Sequence, residues 1–253
     1  MGAVQKCGQC PEDGLTGMTK IKTVAVIPAR GGSKRIPGKN LMNFMGKPLI
    51  VWTIEAALRA GIFQRIVVST DDEKVAAVAT GHGIEVPFLR KEASDDVSPV
   101  SAATISALKQ AGKFWNEEYD VVIQLMANCP LRGSAEIGEA YHNFVKHDFC
   151  FQLSAFRFGW MNPWWAAKIN SDHRPEFIFP EALKKRSQDL DALYCPTGAI
   201  WIARVDKLLQ ENTFYGNDYR FFPMDWKAAV DIDTYEDVEF AKALYTVSRT
   251  AAV

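Results

Sequence analysis

The chain has 253 residues, of which 48% are hydrophobic, so it is long enough to bury a full core in one large α/β domain. Its 29 Lys and Arg residues nearly balance its 30 Asp and Glu residues. This balance leaves no overall field that would draw the protein onto nucleic acid or an anionic membrane surface. The five cysteines lack the spacing of a disulfide framework, and no apolar stretch reaches the roughly 20 residues that span a bilayer, which favours a soluble cytoplasmic protein.

Regular structure is predicted from about residue 21 onward. Residues 1–20 contain no apolar run suited to a signal peptide, and we expect a disordered leader followed by a single domain over 21–253. The pattern then predicts, in chain order, a strand at 23–29, a helix at 48–60, a strand at 65–69, a helix at 72–80, a strand at 85–89, a helix at 100–111, a strand at 119–125 and a helix at 134–147. Beyond an aromatic-rich segment, the pattern predicts a strand at 199–203, a helix from 205, a short strand at 229–233 and a helix at 235–247.

Strands that alternate with helices predict an α/β fold with a doubly wound, mostly parallel, Rossmann-like sheet. Ligands in such sheets bind beyond the carboxyl ends of the strands. The segment 149–194 interrupts the alternation, because it is dense in Phe and Trp and has little helical periodicity. We expect an inserted β-rich lobe there, whose aromatic residues form either plain core or a subunit interface.

A loop rich in glycine and cationic residues follows the first predicted strand. Residues 28–40 read PARGGSKRIPGKN, with three glycines and four cationic side chains. Glycines let backbone N–H groups approach an anion, and fixed cations neutralise a polyphosphate. The order differs from that of a P-loop and from the GxGxxG of dinucleotide folds. The loop is therefore predicted to hold a triphosphate, the alternative being an ordinary solvated loop.

Two aspartates close the last predicted strand. Asp231 and Asp233 flank Ile232, and strand alternation would put both carboxylates on one face with the isoleucine in the core. Two hard oxygen ligands suit Mg²⁺, which completes its octahedron with waters and substrate phosphates. The alternative is an exposed acidic turn, followed by Thr234 as a helix N-cap with Asp237 three residues later.

The loop and several later segments resemble the acylneuraminate cytidylyltransferase family, the CMP-sialic acid synthetase group that includes enzymes for pseudaminic and legionaminic acids. The first segment, IPARGGSKRIPGKN at 27–40, is long and specific. The others follow in the family's order: GKPLI (46–50), VVSTDDEKVA (67–76), VPFLR (86–90), SDD (94–96), NCPLR (128–132), PTGAIWIA (196–203) and DIDTYEDVEFA (231–241). The resemblance implies an Mg²⁺-dependent, homodimeric nucleotidyltransferase in which the C2 hydroxyl of a sugar acid attacks the α-phosphate of CTP and pyrophosphate leaves.

The same resemblance implies residue roles. The nucleotide is expected to be held by Ala29, Arg30, Ser33, Lys34, Lys39 and Asn40, with Arg90 and Ser98 at its cytidine end. Lys39 is expected to contact the α-phosphate. Together with Arg30 and the metal ligands Asp231 and Asp233, it forms the expected catalytic set.

The sequence departs from the family pattern on the sugar side. LMANCPLR (125–132) stands where the family reads LQPTSPLR, and YCPTGAIW (194–201) stands where it reads YRPNGAIY. An arginine binds a carboxylate bidentately and a cysteine does not. The predicted sugar-binding residues are Met126, Asn128, Arg186, Cys195 and Trp201.

These changes favour a pseudaminic or legionaminic type of acceptor over N-acetylneuraminate, with Arg186 or another nearby cation meeting the sugar carboxylate. Two alternatives stay open: a CMP-Kdo synthetase-like enzyme, and a non-catalytic nucleotide-binding assembly protein. A homodimer is expected to form through the lobe at 149–194.

Overall fold

A computed structural model describes residues 21–90 and 100–250 of the chain. The strands are β1 (Thr23–Pro28), β2 (Asn43–Phe44), β3 (Lys47–Pro48), β4 (Arg65–Ser69), β5 (Val121–Gln124), β6 (Phe151–Arg157), β7 (Ala167–Ile169), β8 (Pro175–Phe177), β9 (Tyr194–Arg204) and β10 (Tyr219–Met224). The helices are α1 (Leu49–Ala60), α2 (Glu73–Gly81), α3 (Val100–Trp115), α4 (Ser134–Lys146), α5 (Val205–Glu211) and α6 (Tyr235–Thr250). The expected leader lies outside the described residues.

Six of the strands form one sheet in the order β10-β6-β9-β5-β1-β4. β1 pairs in parallel with β4 and β5, and β6 pairs in parallel with β10. β9 runs antiparallel between β5 and β6 and joins the two parallel halves. The predicted α/β class with a mostly parallel sheet is confirmed.

β1 lies at the centre of the core because every one of its residues is buried. Val24 and Val26 face a cluster that includes Leu108 of α3. Ala25 and Ile27 face the other cluster, built on α1 and α4. An unbroken apolar run is what a parallel strand covered on both faces requires, so this element could be located from its sequence alone.

Two predicted strands are absent from the described part of the chain. The segment 85–89 is irregular, and Pro87 within it lacks the N–H that a sheet ladder needs. The segment 229–233 is also irregular. The sixth strand of the sheet is instead β10, at an edge, where its residues alternate between exposed and half-buried without an apolar and a polar face.

The segment that was expected to form an inserted lobe divides into two parts. Its first residues form β6, which pairs with β9 and β10 inside the main sheet. Residues 158–193 then leave the sheet and contain the β7–β8 hairpin and three short 3-10 turns. Aromatic and aliphatic residues are exposed here, among them Trp160, which is 85% exposed. Within the described residues, no helix combines the length and apolarity needed to cross a bilayer.

An ion pair ties β4 to the segment after α3, and it predicts a pH dependence. Arg65 donates to both oxygens of Glu117 at 2.7 and 3.1 Å, and the Tyr119 hydroxyl donates at 2.9 Å. These hydrogen bonds, chiefly that from Arg65, outweigh desolvation and lower the pKa of Glu117 to about 2. Because the folded pKa is depressed, the stabilisation is complete above the ordinary glutamate pKa of about 4.3 and is lost as the pH falls toward the folded value.

We therefore expect Glu117→Gln to lower the free energy of unfolding by about 1–2 kcal/mol at pH 7. Urea unfolding between pH 7 and pH 3 measures the difference, which should shrink as the pH falls. Glu181→Gln is the control, since its partner Lys184 and the carboxylate itself are both largely exposed and such pairs contribute little. A deficit that stays constant with pH would rule out this ionic account.

Candidate active site

The candidate site lies at the carboxyl ends of β1, β4 and β5. The Ala29 N–H donates to the Ser69 carbonyl at 2.9 Å, which joins the loop after β1 to the end of β4. The segment after β5 meets the predicted aspartate segment, because the Ile232 N–H donates to the Asn128 carbonyl at 2.9 Å. Four chain segments that are distant in sequence therefore meet where an open α/β sheet binds its ligand.

The loop after β1 is held by hydrogen bonds within itself and to the segment after β4. The Gly31 N–H donates to Asp71 at 2.8 Å, and the Asn40 side chain donates to the Arg30 carbonyl at 2.8 Å. A Cβ at Gly31 would lie 2.8 Å from the Cβ of Asp72, and Gly38 has the left-handed φ of 66°. These two glycines are therefore required by the close approach and by the turn. Asn40, expected to contact the nucleotide, is buried and ties the loop together.

Other predicted nucleotide residues lie along the same loop. Ala29 is buried at its start, Arg30 and Ser33 are half-buried, and Lys34 is exposed. Arg90 reaches the site from the neighbouring segment and is buried, with its backbone N–H donating to the Thr70 carbonyl at 2.7 Å. Desolvation lowers the pKa of Arg90, with Asp71 and Arg30 as its charged neighbours. Ser98, the remaining nucleotide residue, lies outside the described residues.

The structure joins the cations of the loop to one of the two predicted aspartates. Lys39 Nζ lies 2.8 Å from Asp233 Oδ1 and 2.7 Å from the Ile232 carbonyl oxygen. Arg35 donates to Asp233 Oδ2 at 2.7 Å. Desolvation opposes ionisation of Asp233, but Lys39 and Arg35 outweigh it and the pKa of this carboxyl is lowered. Arg35 had no predicted role, although it is one of the four cations of the motif.

The two aspartates occupy different electrostatic environments. Desolvation and the negative charge of Asp233 raise the pKa of the Asp231 carboxyl. Lys39 offsets this only in part, and Asp231 therefore receives less positive charge than Asp233, which is paired with both Lys39 and Arg35. Two carboxylates of which one is under-neutralised form a hard oxygen donor set that fits a divalent cation, which can draw its remaining ligands from water and phosphate. The residues therefore fit the predicted metal site.

Irregular backbone, rather than the predicted strand, positions the aspartates. Ile232 is fully buried between them, as alternation had predicted. The side chain of Asn128 donates to the Ile232 carbonyl at 3.1 Å and approaches Asp233 Oδ1 at 3.4 Å. On the other side, Asp237 accepts from the N–H groups of Asp233 and Thr234 at 3.0 and 2.7 Å. The predicted cap between Thr234 and Asp237 is confirmed, and it coexists with the aspartate pair.

An apolar cluster under the site holds the cationic loop against the aspartate segment. Ile36 of the loop and Ile232 of the aspartate segment pack in the same buried cluster, together with Phe44, Leu49 and Val238. Ile36 and Ile232 are at most 1% exposed. Because cores are tightly packed, this cluster fixes the distance between the cations on one segment and the carboxylates on the other.

The predicted sugar-side residues lie in several environments. Met126 packs on Gly198, where an added Cβ would lie 2.9 Å from its Cγ. Cys195 is half-buried, and desolvation followed by the charge of Asp231 raises its pKa. The Trp201 indole donates to the Thr197 carbonyl at 2.8 Å.

Two further predicted residues have structural partners. Asn128 is buried and hydrogen-bonded to the aspartate segment, as described above. Arg186 lies in the 158–193 segment, is exposed, and forms a bidentate pair with Asp189 at 2.7 and 3.1 Å. Cys129 is fully buried, and burial raises its pKa to about 12, so its thiol stays protonated at neutral pH.

A buried arginine with no predicted role, Arg132, ties together the elements around the site. Arg132 donates to the Ala199 carbonyl at 2.6 Å and to the Thr53 hydroxyl at 2.8 Å. Thr53 in turn donates to the Met126 carbonyl at 3.2 Å. Burial lowers the pKa of Arg132 to about 10, which still leaves it charged at neutral pH. Arg132 thus joins β9 and α1 to the segment after β5. In the sequence, only its place in the family motif NCPLR (128–132) pointed to a role for this arginine.

The sheet order, the cationic loop and the facing aspartate pair define a nucleotidyltransferase. The chain belongs to the cytidylyltransferase family, whose model matches residues 24–245. The family resemblance found in the sequence is thereby confirmed. The cytidylyltransferase family generally uses a divalent metal ion.

The chain is also similar to named relatives in sequence and to a solved structure in fold. It is 38% identical over 234 residues to a pseudaminic acid cytidylyltransferase of Campylobacter jejuni, covering 92% of this chain and 100% of that protein. It is 32% identical over 246 residues to a CMP-N,N'-diacetyllegionaminic acid synthase of Legionella pneumophila, covering 92% and 100%. A solved CMP:2-keto-3-deoxy-manno-octonic acid synthetase complexed with CTP has a similar fold, with a TM-score of 0.68 at 19% identity over 90% of this chain and 99% of that one.

Proposed function

We propose that this enzyme transfers CMP from CTP to a nonulosonic acid of the pseudaminic or legionaminic type, with Mg²⁺ as its metal ion. The observation that carries the proposal is the 38% identity along the whole length of a pseudaminic acid cytidylyltransferase. The facing cations and carboxylates at the strand ends supply the chemistry that such a transfer needs. A cytoplasmic location remains a prediction from the sequence, although the disulfide at Cys150 does not support the cysteine argument for it.

The proposed reaction exchanges one phosphorus–oxygen bond for another. The C2 hydroxyl oxygen of the sugar acid bonds to the α-phosphorus of CTP as the bond to the β-phosphate oxygen breaks. Pyrophosphate leaves with the electron pair, and the hydroxyl proton passes to solvent or to a phosphate oxygen. Protein groups contribute mainly by positioning the reactants and by neutralising charge on phosphate oxygens.

The loop at 29–40 would bind the triphosphate, with Lys39 at the α-phosphate. Its ammonium group is already held at 2.7 and 2.8 Å by the aspartate segment, so it needs little reorganisation when the nucleotide binds. Arg30, Ser33 and Lys34 lie earlier on the same loop, and Arg90 approaches from the neighbouring segment. Asp231 and Asp233 would hold Mg²⁺, which when bound neutralises phosphate charge.

Acceptor choice is proposed to depend on the altered residues beside the aspartates. Cys195 stands where the family's arginine is expected, and the charge of Asp231 acts on its thiol. Met126 fills space against Gly198. A neutral, partly apolar wall of this kind suits an acceptor that differs from N-acetylneuraminate in its substituents, with the carboxylate met by a cation elsewhere, Arg186 being the candidate.

An acceptor panel tests the proposal. Wild-type enzyme, CTP and Mg²⁺ are incubated with pseudaminic acid, N,N'-diacetyllegionaminic acid, N-acetylneuraminate and Kdo, and kcat/KM is measured from pyrophosphate release. We expect the highest kcat/KM with one of the first two acids. A preference for Kdo would support the alternative enzyme, whose solved representative shares the fold. If CTP bound but no pyrophosphate were released with any of the four acids, a non-catalytic binding protein would be supported.

A homodimer is proposed through the segment at 158–193, within the expected 149–194 lobe. Its exposed residues include Met161 and Ile169, which are 67% and 74% exposed. Exposed apolar patches are typical of protein interfaces, and we propose that these residues contribute to one. Light scattering at micromolar concentration should give twice the 28.2 kDa chain mass, and a monomeric mass would contradict the proposal.

A further inference from the structure

Both carboxylate oxygens of Asp233 are engaged by cations of the polyphosphate loop. Lys39 Nζ lies 2.8 Å from Oδ1, and Arg35 donates to Oδ2 at 2.7 Å. Asp233 is also one of the two carboxylates that fit a divalent cation. A metal ion that binds through Asp233 therefore competes with these two cations for the charge and the lone pairs of one carboxylate.

The two cations are held very differently. The side chain of Lys39 is 15% exposed and is also tied to the Ile232 carbonyl at 2.7 Å. The side chain of Arg35 is 63% exposed, although the next residue, Ile36, anchors the backbone in the apolar cluster. Lys39 is thus a fixed part of the site, whereas the guanidinium of Arg35 extends through solvent and can move.

An exposed ion pair is weak and is easily exchanged for a better partner. Pairs of this kind contribute little, whereas guanidinium groups bind phosphate oxygens bidentately and strongly. A triphosphate on the same loop would therefore compete well for Arg35. Once the guanidinium has turned to the phosphates, Oδ2 of Asp233 is open to a cation.

We propose that Arg35 is a positioning residue that holds Asp233 in the nucleotide-free enzyme and releases it when a nucleoside triphosphate binds. Divalent metal binding is thereby coupled to nucleotide binding: the metal binds weakly to the free enzyme and more tightly after the triphosphate has drawn Arg35 away. The inference rests on the proposed function, because it takes the anion on the loop to be a triphosphate.

Two binding measurements on Arg35→Gln test this coupling without using turnover. Without nucleotide, Mn²⁺ binding is followed by the electron paramagnetic resonance signal of free Mn²⁺. Removal of the competing cation should tighten Mn²⁺ binding by roughly three- to tenfold. In EDTA, where no metal is bound, calorimetry should show CTP binding weakened by roughly three- to tenfold, because one phosphate partner is lost.

The opposite signs of the two effects separate this role from a merely structural one, which would weaken both ligands. Arg59→Gln is the matched control, since it removes an exposed arginine that pairs with Glu55 on α1, and both affinities should stay at their wild-type values. Asp233→Asn should abolish the Mn²⁺ site and so identify it. Mn²⁺ affinity that is unchanged or weaker in Arg35→Gln, or CTP affinity that is unchanged or tighter, overturns the proposal.

The two binding measurements test the coupling independently of the proposed reaction. Pyrophosphate release by the wild-type enzyme is measured separately with the acceptor panel. Coupling can fail while turnover is intact, which would leave the proposed function standing. Turnover can also fail with every acid while Arg35→Gln shows both shifts, which would leave the coupling standing and remove only the assigned reaction.

Discussion

Lys39→Met is expected to lower kcat for CMP transfer by about 10²- to 10³-fold, the usual effect of removing one preorganised group that stabilises transition-state charge. The ammonium group is positioned by two oxygen atoms of the aspartate segment before any substrate binds. Its loss removes a fixed positive charge where negative charge shifts from the α-phosphate to the leaving pyrophosphate. Steady-state pyrophosphate release at saturating CTP measures the effect, and kcat should fall more than KM rises.

Lys47→Met is the matched control for this variant. Lys47 has a similarly covered side chain and pairs with Glu55 at 2.6 Å, outside the aspartate site. Its loss should leave kcat within about twofold of wild type, as expected for a substitution away from the chemistry. A Lys39→Met protein that keeps more than half of the wild-type kcat would contradict the role assigned to Lys39, even if the enzyme's activity is as proposed.

Asp231→Asn is expected to lower kcat by about 10²-fold or more, because it removes half of the protein's contribution to the metal site. The Mg²⁺ concentration for half-maximal rate should rise as well. The melting temperature should equal or exceed that of wild type, because the folded-state pKa of this carboxyl is raised and its ionised form is therefore disfavoured by folding at neutral pH. Loss of rate without loss of stability is typical of a residue kept for function.

Asp120→Asn is the control for the aspartate. Asp120 precedes β5 at the opposite end of the sheet, where it accepts from the Lys22 N–H at 2.7 Å. That variant should keep kcat and the Mg²⁺ dependence. If Asp231→Asn kept both as well, the carboxyl would have no part in metal binding. If it lost stability in step with activity, the fall in rate would have a structural cause.

Elements that are buried on both faces could be predicted from sequence, because burial leaves a pattern that local residues carry by themselves. β1 is of this kind, and α1 carries an equally local signal in its buried stripe; both appeared within one residue of their predicted bounds. β10 was missed because it lies at an edge, where half-buried residues leave no clear period. The segment 229–233 kept its buried Ile232 but takes its shape from Asn128, about a hundred residues away, and no local pattern carries such information.

In the candidate site, too, local features could be predicted from sequence and long-range contacts could not. The cations of the loop and the two aspartates could be named from sequence because their chemistry is local and their motifs are specific. Their pairing could not be predicted, since Arg35 and Asp233 are 198 residues apart and meet only in the folded chain. Asn40 and Asn128 were assigned to substrates, yet their amides hold the site's backbone together. An amide can serve either purpose, and only the surrounding carbonyl groups decide between them.

Whether the enzyme forms a CMP-sugar from CTP is decided by the ³¹P NMR spectrum of a complete reaction with CTP, Mg²⁺ and pseudaminic or N,N'-diacetyllegionaminic acid. A CMP–sugar phosphodiester resonance should appear mole for mole with pyrophosphate, and neither should appear when the sugar acid is omitted. Formation of CDP with inorganic phosphate, or CTP recovered unchanged with both acids, would contradict the proposed reaction.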